Sequence, residues 1–589
     1  MRTTKFVALI LLLSFFITGC NLNNQSDNDD PIIATPISLI SVDVQAATLD
    51  GALTLNNGMF PNGGLEYGEL WSQGSHANDR FRLGNTYGSN YSAMLIHGNY
   101  DLSYQFKAGG LSVPSNTNAV VSSAVSVTAD KTQNVDVPMI TVSGSFTLNG
   151  NPFLASIYNS AQFYLQKVGT NEKIFFGDSH LPPAQVSVTP GQYHVIYDYR
   201  MGDLVPINVG ARVMANVDLT SNQMLAVNVA AHQLRPSITL NSAAFPINQY
   251  ADANIVLLDK TTGAESTLFN THDPKSTLLV VSGTYDVLYR HETGGAIVPL
   301  NSSARLAENF VFNTGRDFVH NIVTIEVDMN VTHNGVPFLI NEYLDGNLYL
   351  HDAATNADTH LGNTHDGFSN IILIPGTYDF YYSHETGDGV PQNIRGLVKE
   401  GVVINSPSLN LDVVSHLVHV NLTLNGEAFA KNQYVDANIY LAGPQSTEAM
   451  FVGNTHDGPL SIRVLPGTYD LIYRHETGES VPQNNNYRVL KNRPVSGETY
   501  LSANIRSKAV RLSATLNGAA FPANQNTLNG GRIYASSGEG ERVLLLKTHT
   551  DSSTTVVLAE GVYDFFYEYA GGNDVPRNAW VKIGSTTLQ

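Results

Sequence analysis

The sequence predicts an all-β chain of six tandem antiparallel β-sandwich domains, each of about 92 residues, set in an extended array. Two observations predict it. Three short phrases recur six times in register, and each copy alternates apolar and polar residues with the period of a strand, not a helix. The first phrase, Gly-x-Tyr-x-x-x-Tyr, has its glycines at Gly98, Gly191, Gly283, Gly376, Gly467 and Gly561. The second, Val-Pro-x-Asn, begins at Val113, Val205, Val298, Val390, Val481 and Val575. The third, Leu-Asn-Gly-x-x-Phe in its clearest form, places phenylalanines at Phe60, Phe153, Phe245, Phe338, Phe429 and Phe521. A period this long exceeds that of a solenoid unit and gives each copy enough chain for its own core.

The fifth copy shows the elements in order. Residues 420–424 alternate apolar and polar, and Asn425-Gly426 turns the chain. Residues 437–441 make a second strand. Residues 454–458, Asn-Thr-His-Asp-Gly, make a turn, because Asn and Asp bond nearby backbone and Gly takes positive φ. A strand over 460–465 is broken by Pro466-Gly467. The next strand sets Tyr469, Leu471 and Tyr473 on one face. The last strands fall near 487–490 and 500–505. About seven short strands per copy is what an antiparallel sandwich needs. The resulting division is 46–139, 140–234, 235–328, 329–418, 419–509 and 510–589 for the six repeats, after a signal segment at 1–20 and a tether at 21–45.

That signal segment has basic residues at Arg2 and Lys5 and an apolar run over 6–17, too short to cross a bilayer comfortably. It ends in Ile17-Thr18-Gly19-Cys20, which resembles the lipobox of bacterial lipoproteins. The resemblance implies lipidation at Cys20, a palmitate-bearing mature N-terminus and attachment to membrane through that lipid. Asn21 follows, where retention at the inner membrane would favour Asp, so the resemblance implies the bacterial outer membrane, with the face left open. Cys20 is the single cysteine of 589 residues, which excludes internal disulfides, a thiolate metal cage and a cysteine nucleophile in the folded part. With a net charge of -19 and no Lys/Arg cluster, nucleic acid is excluded as a partner.

Residues 454–478 of the fifth copy, with their polar turn, strand, Pro-Gly-Thr-Tyr and following strand, resemble carboxypeptidase regulatory-like domains. Those are grouped with transthyretin-like (prealbumin-like), collagen-adhesin B-type and other Ig-like sandwiches. The resemblance implies the fold and a spacer or binding role without catalysis. The Lys-to-Asn cross-link of some collagen-adhesin B-type domains is not carried over, since the first strand of the fifth copy has no lysine.

The repeated tyrosines, such as Tyr193 with Tyr197 and Tyr469 with Tyr473, read as core rings whose hydroxyls reach backbone at the sandwich edge. A sugar-stacking platform would expose its rings and usually include tryptophan, and the chain has only Trp71 and Trp580. The histidines are distributed differently. Asn-Thr-His-Asp supplies His272, Asp273, His365, Asp366, His456 and Asp457; His-Glu-Thr-Gly supplies His291, Glu292, His384, Glu385, His475 and Glu476. Both phrases occur together in copies three to five, while copy two keeps only His180 and copy six only His549. Paired occurrence predicts that the two segments touch. They form either a hydrogen-bonded cluster that pins the loop onto Val-Pro-x-Asn or a His/His/carboxylate metal site, and the sequence leaves metal binding open. His291-Glu292 is not a zincin motif, because Gly295 stands where the second histidine would be.

No nucleophile elbow or phosphate loop is present, and every polar phrase is multiplied, which argues against an enzyme and for no cofactor. The reading is a membrane-anchored structural or interaction lipoprotein with an adhesion-type role, and the alternative is a multivalent carbohydrate- or divalent-cation-binding array. At the ends, residues 40–47 resemble the last strand of a repeat, whereas the sixth copy has room for only one strand after Asn578. The sequence therefore predicts a fairly stiff rod whose sixth repeat either exposes an unpaired strand edge, suited to a partner or a second copy by strand addition, or bends residues 580–588 back to cover that edge.

Overall fold

A computed structural model describes residues 37–61, 65–181, 183–294, 296–443, 448–522, 530–538, 540–549 and 553–589. The signal segment, Cys20 and most of the tether lie outside the described residues. The second repeat shows the plan. Its first strand, Ile140–Leu148, points Ile140, Val142, Gly144 and Phe146 inward while the residues between them face outward. It pairs antiparallel with the fourth strand, Ala184–Val188, and parallel with the seventh, Gln223–Val229. The opposing sheet runs Lys173–Asp178, Ser160–Lys167, Gly191–Met201, Ala211–Leu219, antiparallel throughout. Asn149 and Gly150 both take positive φ, at 51° and 83°, and turn the first strand into a short return, as a primed hairpin turn requires.

Between the sheets Phe146 stacks on Phe163 with centroids 3.8 Å apart, and Phe153 and Tyr197 meet Phe163 edge-on. Burying each such ring contributes about 1.5–3 kcal/mol over leaving it exposed. Tyr193 and Tyr197 are fully buried, and their hydroxyls donate to the Thr189 and Pro206 carbonyls at 2.8 and 2.7 Å. The phrase tyrosines thus sit in the core with their hydroxyls on backbone. Burial holds their ionisation well above the ordinary range.

Consecutive repeats are joined by two devices, both built from the recurring phrases. The turn Asn of each Leu-Asn-Gly phrase clamps the start of the next repeat: Asn149 Nδ2 donates to the Ala231 carbonyl and its Oδ1 accepts the Ala231 amide. The Asn of each Val-Pro-x-Asn phrase is buried against the next repeat. Asn208 donates to Tyr285 Oη at 3.1 Å and accepts the Val281 amide at 2.7 Å. Asn116, Asn301, Asn393 and Asn484 do the same to Tyr193, Tyr378, Tyr469 and Tyr563. The first strands of repeats three to six start at Ala231, Ile325, His416 and Ser507, a few residues before the boundaries read from the sequence.

The tandem sandwiches are as the sequence predicts, but the sixth repeat has no open edge. Ser38–Val44, within the segment read as tether, pairs in parallel with Ser507–Leu516 over seven residues. It stands where Gln223–Val229 stands in the second repeat. Asp43 accepts from the Gly518 amide and Thr515 Oγ1, as Asn228 does from Gly150 and Thr147. Val42 and Val44 enter the core of the sixth repeat. The joint between the sixth and first repeats then repeats the internal ones: Asn517 clamps Ala46, and Asn578 donates to Tyr100 Oη and accepts the Ile96 amide. Within 37–589, which forms one compact unit, the six repeats make a closed circuit of head-to-tail contacts in place of an open rod. A self-matching head-to-tail interface that comes round to its starting point yields a ring.

Candidate functional site

At one end of each repeat three loops converge: the segment entering the second strand, the turn between the third and fourth strands, and the loop leaving the fifth strand. The sequence signals out the last two, and the structure adds a residue from the first. In the fifth repeat Asp436, at the start of the second strand, receives His456 Nδ1 at 2.5 Å, Thr455 Oγ1 at 2.7 Å and the His456 amide at 3.2 Å. Asp345 does the same for His365 and Thr364 in the fourth repeat, and Asp252 holds His272 at 2.5 Å in the third. Burial pushes the Asp345 carboxyl up, but the bonds from Thr364, His365 and the Gly346 amide outweigh it and hold the group below the usual carboxylate range. Asp436 is held down in the same way. The bonds to these aspartates raise His365 and His456 above the ordinary imidazole range.

The His-Glu-Thr-Gly phrase touches this cluster through its glutamate. Glu292, Glu385 and Glu476 accept from Asn270, Asn363 and Asn454 at 2.6, 2.9 and 2.9 Å, which joins the two phrases in each middle repeat. Its histidine turns away from the other imidazole: His384 and His475 reach the Gly387 and Gly478 carbonyls three residues on. His291 is half-buried and burial lowers its pKa. Their backbone amides bond the carbonyls of Asn301, Asn393 and Asn484, so this phrase does lie against Val-Pro-x-Asn. Of the remaining turn aspartates, Asp366 and Asp457 lie 3.2 and 3.3 Å from the Nε2 of His365 and His456, while Asp273 pairs with Lys275 at 2.8 Å. Among the described residues no group of three His, Cys, Asp or Glu is arranged to hold a metal ion.

Variation at the pivotal aspartate explains which repeats keep the phrase. The first repeat has Tyr67 there and Tyr87 at the histidine position, and the two rings meet edge-on at 5.4 Å. The second has Ser160 and the sixth Gly530, and in both the histidine Nδ1 (His180, His549) is buried without a hydrogen-bond partner among the described residues. A Cβ on Gly530 would lie 2.8 Å from that of His549, too close for an aspartate with this ring in place.

Beside the cluster runs a groove. In the fifth repeat it holds about 230 Å³ and is lined by Leu422, Phe429, Lys431, His456 and Leu460. In the third it holds about 400 Å³, with Ile238, Phe245, Ile247, Phe269 and Lys275. The loop that lines it then presents a tyrosine that sequence reasoning missed. Tyr158, Tyr250, Tyr343 and Tyr434 are 74%, 73%, 71% and 72% exposed. Each has its amide held by the side chain two residues before, Ser156, Asn248, Asn341 or Asn432. The signal was available as a fourth phrase, Phe-x-x-(Asn/Ser)-x-Tyr, in register in copies two to five.

These features define a repeat β-sandwich protein whose six units close on themselves and carry a recurrent polar and aromatic tip. No family model matches the sequence, and no curated protein matches it. Among solved structures the chain is similar to the Bacillus anthracis TIE protein, at 11% identity over 66% of this chain and 75% of that one, with a TM-score of 0.14. It is similar to a streptococcal ancillary pilin, at 10% identity over 47% and 98% of the two chains, TM-score 0.14. The pilus adhesin SpaC from Lactobacillus rhamnosus GG matches at 9% identity over 59% and 56%, TM-score 0.15. Scores this low carry no argument about arrangement or function. No helix among the described residues is long and apolar enough to cross a membrane.

Proposed function

We propose that the chain is a non-catalytic, multivalent interaction lipoprotein of the bacterial envelope, anchored by lipid at Cys20 and resident at the outer membrane. One observation carries the multivalent reading: three consecutive repeats, the third to the fifth, present the same tip with the same Asp–His bond. A reacting centre is usually singular, whereas a surface that binds weakly at many equivalent points gains avidity. The lipobox-like sequence supports the anchor, and the carboxypeptidase regulatory-like resemblance of each repeat supports a platform role.

Cells making the wild-type protein should retain it in the membrane fraction and aggregate or adhere more than cells making Cys20→Ser, which should release a folded, soluble chain. Equal adhesion by the two, with both proteins folded, would remove the interaction reading; a lipid still present on the mutant would remove the anchor. A divalent-cation array is the second reading, favoured only by Asp366 and Asp457 standing 3.2 and 3.3 Å from the Nε2 of His365 and His456. Titration with zinc or calcium tests it directly, a stoichiometric heat of one ion per middle repeat being its signature.

A further inference from the structure

We infer that the tips of repeats two to five are binding subsites for a neutral polysaccharide, with Tyr158, Tyr250, Tyr343 and Tyr434 as stacking platforms; this rests on the multivalent reading above and names its ligand class. Large rings in a folded chain are normally covered, as every phrase tyrosine is here. These four are uncovered to nearly the same extent, at one position of the repeat, on a loop whose backbone is fixed by a side-chain hydrogen bond. Holding a ring out in water by a rigid turn is the arrangement that a stacking surface needs, because little conformational freedom is then lost on binding.

The surroundings select the ligand. In the third and fifth repeats the ring follows uncharged hydrogen-bonding groups, Asn248 and Gln249 before Tyr250, Asn432 and Gln433 before Tyr434, while Ile157 precedes Tyr158 and Glu342 precedes Tyr343. Two residues later the chain reaches the aspartate that holds the turn imidazole, whose side chain stays 24–35% exposed at the rim in repeats three to five. An apolar face edged by amides and imidazoles matches a pyranose, which has a C–H face and a girdle of hydroxyls. The net charge of -19 opposes an anionic polymer or an anionic membrane surface. Two residues after the phrase phenylalanine an isoleucine stands in the third and fourth repeats, as Ile247 and Ile340, but Ala155 takes that place in the second and Lys431 in the fifth. What the four copies share is the ring, so the recognised feature is one flat apolar facet, not a continuous greasy surface. Four equal subsites at equivalent places in consecutive repeats suit a ligand that itself repeats.

The test uses the full chain with Cys20→Ser in native gels containing amylose, xylan, laminarin or galactomannan. At least one polymer should retard the protein. Tyr158→Ala, Tyr250→Ala, Tyr343→Ala and Tyr434→Ala combined should weaken that retardation by roughly 100-fold, one substitution alone by a few-fold. The corresponding four Phe variants should keep it, since stacking survives without the hydroxyl. With side chains this exposed, unchanged thermal unfolding will show that the variants fold. No retardation in any gel, or equal retardation of the Ala variant, overturns the inference. So does binding to phosphatidylcholine vesicles that the Ala variant loses while polysaccharide binding is absent. If cell adhesion persists in the quadruple Ala variant, the interaction reading stands and only the polysaccharide assignment falls.

Discussion

The second and sixth repeats have the same seven-strand plan but obtain it differently. In the second, the first and seventh strands are linked by contiguous chain, and Thr147 meets Asn228 across 81 residues. In the sixth, the equivalent bond joins Thr515 to Asp43 across 472 residues, at 2.7 Å against 3.0 Å. The sandwich therefore needs the seventh strand in place, not its covalent continuity with the sixth. For a flexible chain the longer loop raises the closure cost by only roughly 1.5 kcal/mol, since the cost grows with the logarithm of length. Burying Val42 and Val44 returns about 1.5–3 kcal/mol each. The extra cost of the longer loop is thus outweighed by the burial of these two side chains.

The harshest way to break that equivalence is to remove the strand. Deleting residues 38–44, or replacing the fully buried Val44 with Asp, should destabilise the sixth repeat by about 4 kcal/mol or more, because a core position is emptied or charged. Val229→Asp should harm the second repeat comparably, but its ring contacts to the first and third repeats remain tethered by chain. The Val44 variant alone should therefore expand in small-angle scattering, and its Trp580 fluorescence should change. A synthetic peptide of residues 38–44 should restore both signals to the deleted chain. An unchanged radius of gyration in the deletion would mean that the circuit is not held by this strand.

Tyr469 and Tyr100 hold the same place at an internal joint and at the closing joint, accepting from Asn393 and Asn578. Tyr469→Ala should cost about 3–5 kcal/mol by denaturation, as for a fully truncated core ring. Tyr100→Ala should cost a similar amount and also loosen the circuit, which scattering would detect. If Tyr100→Ala leaves the scattering curve unchanged, strand pairing alone secures the ends. The neighbouring Asp470 lies on the opposite face of its strand, yet it is buried, pairs with Arg488 and accepts the Asn492 amide at 2.7 Å. Its loss should cost about 1–3 kcal/mol, closer to the tyrosine than alternation alone implies.

Asn208→Ala and Asn578→Ala make a smaller, matched pair. Each leaves a buried amide and a tyrosine hydroxyl short of a partner, at about 1–3 kcal/mol. Equal losses in stability with an effect on shape only for Asn578 would separate what an interface bond does when chain also spans the joint from what it does beside the unlinked ends. Expansion by both variants would show that every joint is equally weak.

The fold was legible because its periodicities are local. Alternation in 420–424, the Asn425-Gly426 turn and the tyrosine pairs each report their own strand and face. The closure was half legible: residues 40–47 look like a seventh strand and the sixth copy lacks one, but a pairing across more than 470 residues has no local mark. Asn578 and its five counterparts were recognised as a phrase without their task, since a buried amide reaching into another domain reads in sequence as a loop residue. The tip was found through its histidines, while Asp252, Asp345 and Asp436 were missed because one acid before an apolar strand is an ordinary sight. The exposed tyrosines were overshadowed by twelve more regular ones.

The subtlest difference between the joints is a carboxylate. The closing joint has one, as do the first-to-second joint with Glu172 and the fifth-to-sixth with Glu541, and the second-to-third joint lacks it. At the closing joint Asp79 is buried, and Asn578 Nδ2 donates to both its oxygens at 3.2 and 3.1 Å while the Ala579 amide donates at 3.0 Å. Burial raises its pKa to about 6 from the ordinary 3.8, against the pull of those donors and the nearby His76. At the joint of the second and third repeats the corresponding side-chain contact is neutral, Ser266 Oγ accepting the Val209 amide. A carboxyl whose folded pKa lies above its unfolded one favours the closed state when protonated. That contribution is full below about 3.8 and is lost as pH rises through about 6, up to about 3 kcal/mol in all. The closing joint should therefore tighten between pH 7 and pH 4, and the internal joint should not. The raised His365 and His456 act in a higher window, since their contribution is lost only as pH rises past the ordinary imidazole value. Asp79→Asn should abolish the dependence between pH 4 and 6 and leave the ring as tight at pH 7 as the wild type is at pH 4. The measurement is Trp580 fluorescence during urea unfolding at each pH, with Ser266→Ala as the internal control. A wild-type transition that does not move between pH 7 and pH 4, or that moves equally in Asp79→Asn, would exclude Asp79 as the source.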